Sequence, residues 1–126
     1  MSKPAPVEIF LRGCPEDRLL AWLTSVAGAA RVDWERDGVK GLVTDRGPVV
    51  LTLRMEDGPF DGLWVPWGTS LWPNDLACAR AAARGLRCVV RCEPGPDWPD
   101  ADPDEDLYVE LDGTTERLGA WDDDPA

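Results

Sequence analysis

The sequence predicts an α+β protein in which a mainly antiparallel sheet is packed on one side by two helices. Short runs that alternate apolar and polar residues and are rich in β-formers recur along the chain. Two other segments repeat apolar or alanine residues at helical spacing. The 12 glycines and 12 prolines separate these runs closely, so the connections are short. The resulting order, β-α-β-β-β-β-α-β-β-β, favours one sheet covered by a helical layer.

The first strand and the first helix are predicted at residues 7–12 and 15–27. Pro15 suits the first position of a helix, and acidic residues follow it where the helix dipole favours negative charge. Gly28 is predicted to end the helix. Its buried face repeats at helical intervals and consists of Leu19, Leu20, Leu23, Val26 and Ala27.

Four strands are predicted to follow, separated by turns that contain glycine or proline. Asp37-Gly38 is a strong hairpin signal between the first two of them. Pro66 lies inside the last run, which favours a place near the end or the edge of a sheet. The predicted strands span residues 31–35, 40–44, 49–55 and 60–67.

The second helix is predicted to begin near Pro73 and Asn74 and to stop at Gly85, a residue typical of the position after a helix. Its alanine-rich body predicts close packing on the sheet. A strand with outward arginines is expected at residues 86–92. A last hairpin is expected from residues 107–111 and 117–121, joined through Asp112-Gly113.

Negative charge is concentrated in the last quarter of the chain. The net charge is −11, yet residues 1–92 are nearly balanced, whereas residues 93–126 hold 13 acids against the single basic residue Arg117. Residues 93–106 are predicted to form an acidic, irregular loop and residues 122–126 a frayed tail. Such a field repels nucleic acid and anionic membranes and attracts basic partners.

The 126 residues fit a single domain, predicted to span residues 1–126. No segment has the length and hydropathy of a signal peptide core or a membrane span, so we expect a cytoplasmic protein. The four cysteines are expected to be reduced there. Cys14 lies at a predicted helix start, where a thiol pKa can fall, but the chain offers no histidine as a base.

The absence of histidine argues against catalysis, because it removes the commonest general base and the usual partner of serine and cysteine nucleophiles. We therefore expect no enzyme activity, no catalytic residues and no cofactor. No metal site is predicted either. Cys88 and Cys92 are too far apart along one strand to share an ion, and the aspartates from Asp97 onward lack the glycine and glutamate of a calcium loop.

Seven tryptophans are many for so short a chain. Trp64, Trp67 and Trp72 are predicted to be mainly core residues, with an exposed aromatic patch as the alternative. Trp98 and Trp121 lie inside the acidic segment, and aromatic side chains ringed by charge are typical of protein-binding surfaces.

Four segments resemble small bacterial immunity proteins of polymorphic toxin systems. They are PVVLTLRMEDG (48–58), WPNDLACARAAARGL (72–86), VVRCEPG (89–95) and LYVELDGTTERLGAW (107–121). The resemblance implies tight binding to a cognate protein toxin, a class that includes basic nucleases and deaminases, and occlusion of the toxin by an acidic surface. It carries over no individual functional residue.

The sequence thus predicts a toxin-neutralising immunity protein that binds neither nucleic acid nor membrane. Two alternatives stay open: a nucleic-acid mimic that inhibits a DNA-binding protein, and an enzyme that uses carboxylates and a metal. The predicted partner-binding residues are Asp97, Trp98, Asp100, Asp102, Asp104, Glu105, Asp106 and Trp121.

Overall fold

The computed structural model describes residues 4–95, 98, 101–102 and 104–121, and it confirms the predicted fold class. All ten predicted elements are present in the predicted order, as two α-helices and an antiparallel sheet of eight strands. Their bounds are β1 Val7–Arg12, α1 Glu16–Ala27, β2 Arg31–Arg36, β3 Val39–Thr44, β4 Gly47–Thr52, β5 Asp61–Val65, α2 Asp75–Leu86, β6 Val89–Cys92, β7 Leu107–Leu111 and β8 Glu116–Ala120.

The first strand lies in the middle of the sheet. The strand order is β2-β3-β4-β5-β1-β6-β7-β8, so β1 separates one run of consecutive strands, β2 to β5, from another, β6 to β8. Each neighbouring pair is antiparallel. The predicted hairpin between β2 and β3 turns at Asp37 and Gly38, which both have positive φ, as a two-residue hairpin of this kind requires.

Both helices lie on one face of the sheet and contact each other, with α1 against β3 and α2 against β1, β6 and β7. Alternate strand residues point toward them and are fully buried. These residues include Ile9, Val49, Leu63, Val90 and Val109. Neither α-helix packs on the opposite face, which we call the helix-free face and which carries both exposed and buried side chains.

Helix α1 ends where the sequence predicts and begins one residue later than predicted, at Glu16. Pro15 is its N-cap residue, acidic residues occupy the first turn, and Gly28, with φ 78°, follows its last residue. The predicted end of α2 at Gly85 is wrong. Gly85 is inside the helix, which continues to Leu86, and Arg87 takes the left-handed conformation with φ 53°. The indole of Trp22 lies where a side chain at residue 85 would be.

Three strands are shorter than predicted. Strand β5 spans Asp61–Val65 and ends before Pro66, which has no backbone N–H for pairing. Strand β4 ends at Thr52, because the chain turns at Arg54, whose φ is 51° and whose backbone N–H donates to Asp61 Oδ1 at 2.8 Å. Strand β6 begins only at Val89, because Arg87 closes the preceding helix. The described residues between β6 and β7 have no regular structure, as predicted. The predicted tail at residues 122–126 lies outside the described residues.

Three buried tryptophans connect the helical layer to the sheet. The Trp22 ring in α1 stacks on Trp72 with centroids 5.8 Å apart, and Trp72 stacks on Trp67 at 6.5 Å. Trp67 Nε1 donates to Pro48 O at 2.9 Å, which fixes the far end of the stack to β4. This tryptophan stack fills the core beside the N-terminal approach to α2.

Candidate interaction surface

The helix-free face of the sheet is defined by the alternation of β1. Val7, Ile9 and Leu11 are buried toward the helices. Glu8 and Phe10 therefore point to the opposite side, since successive strand residues face opposite ways. Residues that are directly opposite each other on neighbouring strands lie on the same face. The strand pairing therefore identifies the residues of the other strands that belong to this face.

One row of paired residues crosses five strands of this face. Trp34 is opposite Gly41, Gly41 opposite Val50, Val50 opposite Trp64, and Trp64 opposite Glu8. We call these five residues the tryptophan row. Trp34 is 48 % exposed and Trp64 is 42 % exposed. The Trp34 indole lies directly over Gly41, where any Cβ would overlap it.

The row becomes acidic at its β1 end. The pKa of Glu8 is raised by burial and by the negative charges of Asp75 and Glu93. The Glu8 backbone N–H donates to Asp75 Oδ1 at 3.0 Å, beyond the last residues at which β1 pairs with β6. Burial also raises the pKa of Asp75, although this hydrogen bond acts against the rise. Where β1 and β6 separate, Glu8 is therefore exposed to the negative charges of two other carboxylates.

A cleft of about 500 Å³ extends this acidic region. Glu93 belongs to its lining, so the cleft is continuous with the acidic end of the tryptophan row. Asp102 Oδ1 accepts a hydrogen bond of 2.9 Å from the Asp104 backbone, which shapes the turn before β7. We call the following carboxylates the acidic surface: Glu8, Glu93, Asp102, Asp104, Glu105 and Asp106.

The predicted site residues have different surroundings. Asp97 and Asp100 lie outside the described residues. Asp102, Asp104, Glu105 and Asp106 are exposed members of the acidic surface. Trp98 is half-buried and packs against the hydrophobic core, which ties the acidic segment to the body of the protein.

Trp121 belongs to an aromatic cluster on the helix-free face. Its backbone N–H donates to Asp106 O at 3.1 Å, next to the β7–β8 ladder. Its ring lies 4.7 Å from Tyr108, 5.6 Å from Phe10 and 6.4 Å from Phe60, measured between centroids. Trp121 therefore covers the part of the face formed by β5, β1, β6 and β7.

This cluster surrounds Arg91, which the sequence predicted to be an outward arginine. The prediction is correct about the face and wrong about exposure, since Arg91 is only 2 % exposed. Its guanidinium carbon lies 3.9 Å from the Tyr108 centroid, 4.4 Å from Phe60 and 5.1 Å from Trp121. We call Arg91 and these three rings, together with Phe10, the arginine cage.

Glu110 supplies negative charge beneath the cage. Its Oε1 lies 2.9 Å from Arg91 Nη2, and its Oε2 lies 2.7 Å from Nη2 of the exposed Arg117. Burial raises the pKa of Glu110, but hydrogen bonds from both arginines outweigh burial and hold the pKa below its usual value. The three charges form a chain across β6, β7 and β8.

The sequence reasoning missed the tryptophan row. Of the three tryptophans that it grouped, Trp67 and Trp72 are buried at 8 % exposure each, whereas Trp64 is exposed. Strand alternation offered a signal, because Trp64 lies between the apolar residues Leu63 and Val65, which point to the core. Trp34 had no comparable signal, since all of β2 is exposed.

Metal binding, membrane-spanning helices and similarity to known proteins each bear on the class of site. Within the described part of the chain, no three His, Cys, Asp or Glu side chains converge in a way that could hold a metal ion. In the same part, neither helix has the length and the apolar character needed to cross a membrane. No protein family model, no curated protein and no solved structure matches this chain.

Proposed function

We propose that this protein binds a basic protein partner through the tryptophan row and the acidic surface. The observation that supports the proposal is the continuity of the two. Exposed Trp64 lies opposite Glu8, the negative charge of Glu93 acts on Glu8, and Glu93 lines the cleft of exposed carboxylates. Aromatic anchors on the sheet thus adjoin a region of negative charge.

The chemistry of this surface favours a cationic protein. Covering an exposed tryptophan contributes favourably to the free energy of binding. Tryptophan is also enriched among the residues that dominate binding. An arginine or lysine of the partner can stack on an indole while its charge meets a carboxylate. The net charge of −11 adds long-range attraction for the same partner and repels nucleic acid.

The size of the surface fits a macromolecule. Neighbouring strands are about 4.7–4.9 Å apart, so the row of five strands spans about 19 Å, and the cleft extends it further. Specific protein interfaces bury about 800 Å² on each partner. A sheet face of this width, with two large exposed rings, suits such an interface better than it suits a small ligand.

In its particular form, the proposal is an immunity protein that neutralises a cognate toxin by steric occlusion. Its support is the family resemblance together with the acidic surface, which suits a basic nuclease or deaminase. The carboxylates would set the rate of encounter and the tryptophans would hold the complex, because charges mainly govern association and buried aromatics mainly govern dissociation.

The experiment pairs this chain with the protein domain that the adjacent upstream gene encodes, which the immunity role requires to be a toxin. Expression of that domain alone should arrest growth, and co-expression of this chain should restore growth. Association and dissociation rates of the purified complexes then show how the carboxylates and the tryptophans each contribute to binding. Asp104→Lys with Asp106→Lys should slow association at least about tenfold and weaken its salt dependence, whereas Trp64→Ala should raise the dissociation rate about thirtyfold.

The matched control for the charge reversal is Asp17→Lys with Glu35→Lys, which changes the net charge equally at other exposed positions. It should leave association within about twofold of the unmodified chain. An equal slowing by this control would show that only total charge matters and would exclude the proposed surface. Failure of the unmodified chain to restore growth would exclude the immunity role.

A further inference from the structure

Two of the four cysteines meet at the end of the β1–β6 ladder. The last paired residues there are Arg12 and Val89. Cys14 comes two residues after the first of them, and Cys88 comes immediately before the second. Cys14 and Cys88 are therefore one residue out of register just beyond the last pair, and both pack against the same hydrophobic core. All four cysteines are free thiols here.

The two thiols interact directly, and the interaction is asymmetric. Cys14 Sγ lies 3.7 Å from Pro15 O, to which it donates. A side-chain hydrogen bond with Cys88 lowers the pKa of Cys14, and the Arg18 guanidinium lowers it further. The same hydrogen bond and burial raise the pKa of Cys88. Cys14 is therefore the half-exposed thiol that ionises first, and Cys88 is the buried thiol that stays protonated.

The remaining cysteines, Cys78 and Cys92, also influence each other's charge, but neither thiol is accessible. Cys78 and Cys92 are both fully buried. Burial raises the pKa of Cys78 strongly and that of Cys92 to about 12. Thiols in this state react slowly, because the thiolate is the nucleophile, and they serve as internal controls.

We propose that Cys14 and Cys88 are a redox-active pair that closes to an intramolecular disulfide when the protein meets a peroxide or a low-molecular-weight disulfide. The Cys14 thiolate attacks hydrogen peroxide, the O–O bond breaks, and hydroxide leaves as Cys14 becomes a sulfenic acid. The Cys88 sulfur then attacks Cys14. The S–S bond forms and the S–O bond breaks, and the Cys88 proton leaves with the hydroxyl group as water.

Oxidised glutathione supplies the same oxidation by exchange. Cys14 displaces one glutathione thiolate to form a mixed disulfide, and Cys88 displaces the second. Both routes remove two electrons from the pair. The bond would join the β1–α1 connection to the α2–β6 connection, at the opposite end of β1 from Glu8. The pair therefore stands independently of the proposed partner-binding function.

The test treats the reduced, folded full-length chain with hydrogen peroxide or with oxidised glutathione, then denatures it and alkylates the remaining thiols. The proposal predicts a loss of two hydrogens in the intact mass, two alkylatable thiols instead of four, and one cross-linked peptide pair that contains Cys14 and Cys88. The oxidised chain should also unfold at a higher temperature, because the cross-link restricts the unfolded state. Dithiothreitol should reverse both changes.

Variants separate the two roles. Cys14→Ser should abolish the cross-link and the reaction with glutathione. Cys88→Ala should leave Cys14 as a stable mixed disulfide, and Cys78→Ala, the matched control, should cross-link as the unmodified chain does. A mixed disulfide at Cys14 in the unmodified chain, without closure, would overturn the proposal. So would cross-links that include Cys78 or Cys92. Both results come from the unmodified chain and need no variant to fold.

Discussion

At the scale of single residues, glycines mark the places where aromatic rings lie against the backbone. Gly41 lies under Trp34, Gly119 under Tyr108 and Gly85 under Trp22. Gly85 is the informative case, because it lies within α2 although glycine is a poor helix former. Contact with an indole, not chain reversal, explains this glycine.

Gly85→Ala is accordingly expected to destabilise the protein. Alanine improves helix propensity by about 1 kcal/mol, but its methyl group would overlap the ring of the buried Trp22, and displacing a packed side chain costs about 1–3 kcal/mol. Trp22 is held by its stack on Trp72 and cannot easily move. Urea unfolding measures the difference. In a Trp22→Ala background the same substitution should become stabilising, and an unchanged penalty there would contradict this explanation.

Arg91 shows what single-sequence reasoning leaves out at this scale. Its position in an alternating strand correctly predicts that it points away from the helices. Its burial depends on Phe60, Tyr108 and Trp121, which come from three separate parts of the chain. No local pattern brings those rings together, so neither the cage nor the loss of exposure could be predicted.

At the scale of elements, the sequence predicts the bounds of an element well where one face is apolar and residues such as proline or glycine stand at its ends. Helix α1 has a regular apolar face between Pro15 and Gly28, and its bounds agree with the prediction to one residue. Strand β4 was predicted too long because residues 53–55 continue its apolar pattern. The turn at Arg54 depends on Asp61, which lies in the next strand.

Helix α2 provides a test of end capping. The Asn74 side chain accepts a hydrogen bond of 2.9 Å from the Ala77 backbone. Asn74→Ala should therefore cost about 1 kcal/mol of unfolding free energy. The matched control is Asn74→Asp, which keeps the acceptor and places negative charge at the helix N-terminus, so it should retain stability. Equal losses in both variants would mean that the cap does not stabilise the helix.

At the scale of the whole molecule, the order of the strands could not be predicted. Sequence reasoning identified one antiparallel sheet, but it contains no signal that places β1 between β5 and β6. That central position creates the candidate site. It brings Glu8 beside Trp64 on one side and near Glu93 on the other, although the three residues are far apart in the chain.

The arginine cage connects several strands of the sheet. The two ion pairs of Glu110 should contribute differently to the free energy of unfolding. Glu110→Ala removes a carboxylate from beside the buried Arg91, and breaking such a pair costs about 3 kcal/mol. Arg117→Ala removes the partner that is 61 % exposed and should cost less than about 1 kcal/mol. Chemical denaturation at neutral pH compares the two variants, and equal losses would contradict the assigned importance of the buried pair.

The pH dependence of the same pair has a definite sign. Because the pKa of Glu110 is lowered in the folded protein, its contribution is complete above the unfolded carboxyl pKa of about 4.3 and is lost as the pH falls through the lowered value. The gap in stability between the unmodified chain and Glu110→Ala should therefore narrow in acid. A gap that is constant with pH would show that packing, not charge, is responsible.

The tryptophan stack has an optical consequence. Trp22, Trp72 and Trp67 are nearly parallel, with interplanar angles of 15° and 25° between successive rings. Indoles this close share their electronic excitations, so their circular dichroism differs from that of isolated tryptophans. This signal requires α1 to be packed against the segment between β5 and α2, which contains Trp67 and Trp72. The circular dichroism of these tryptophans should therefore report whether the helices are packed on the sheet.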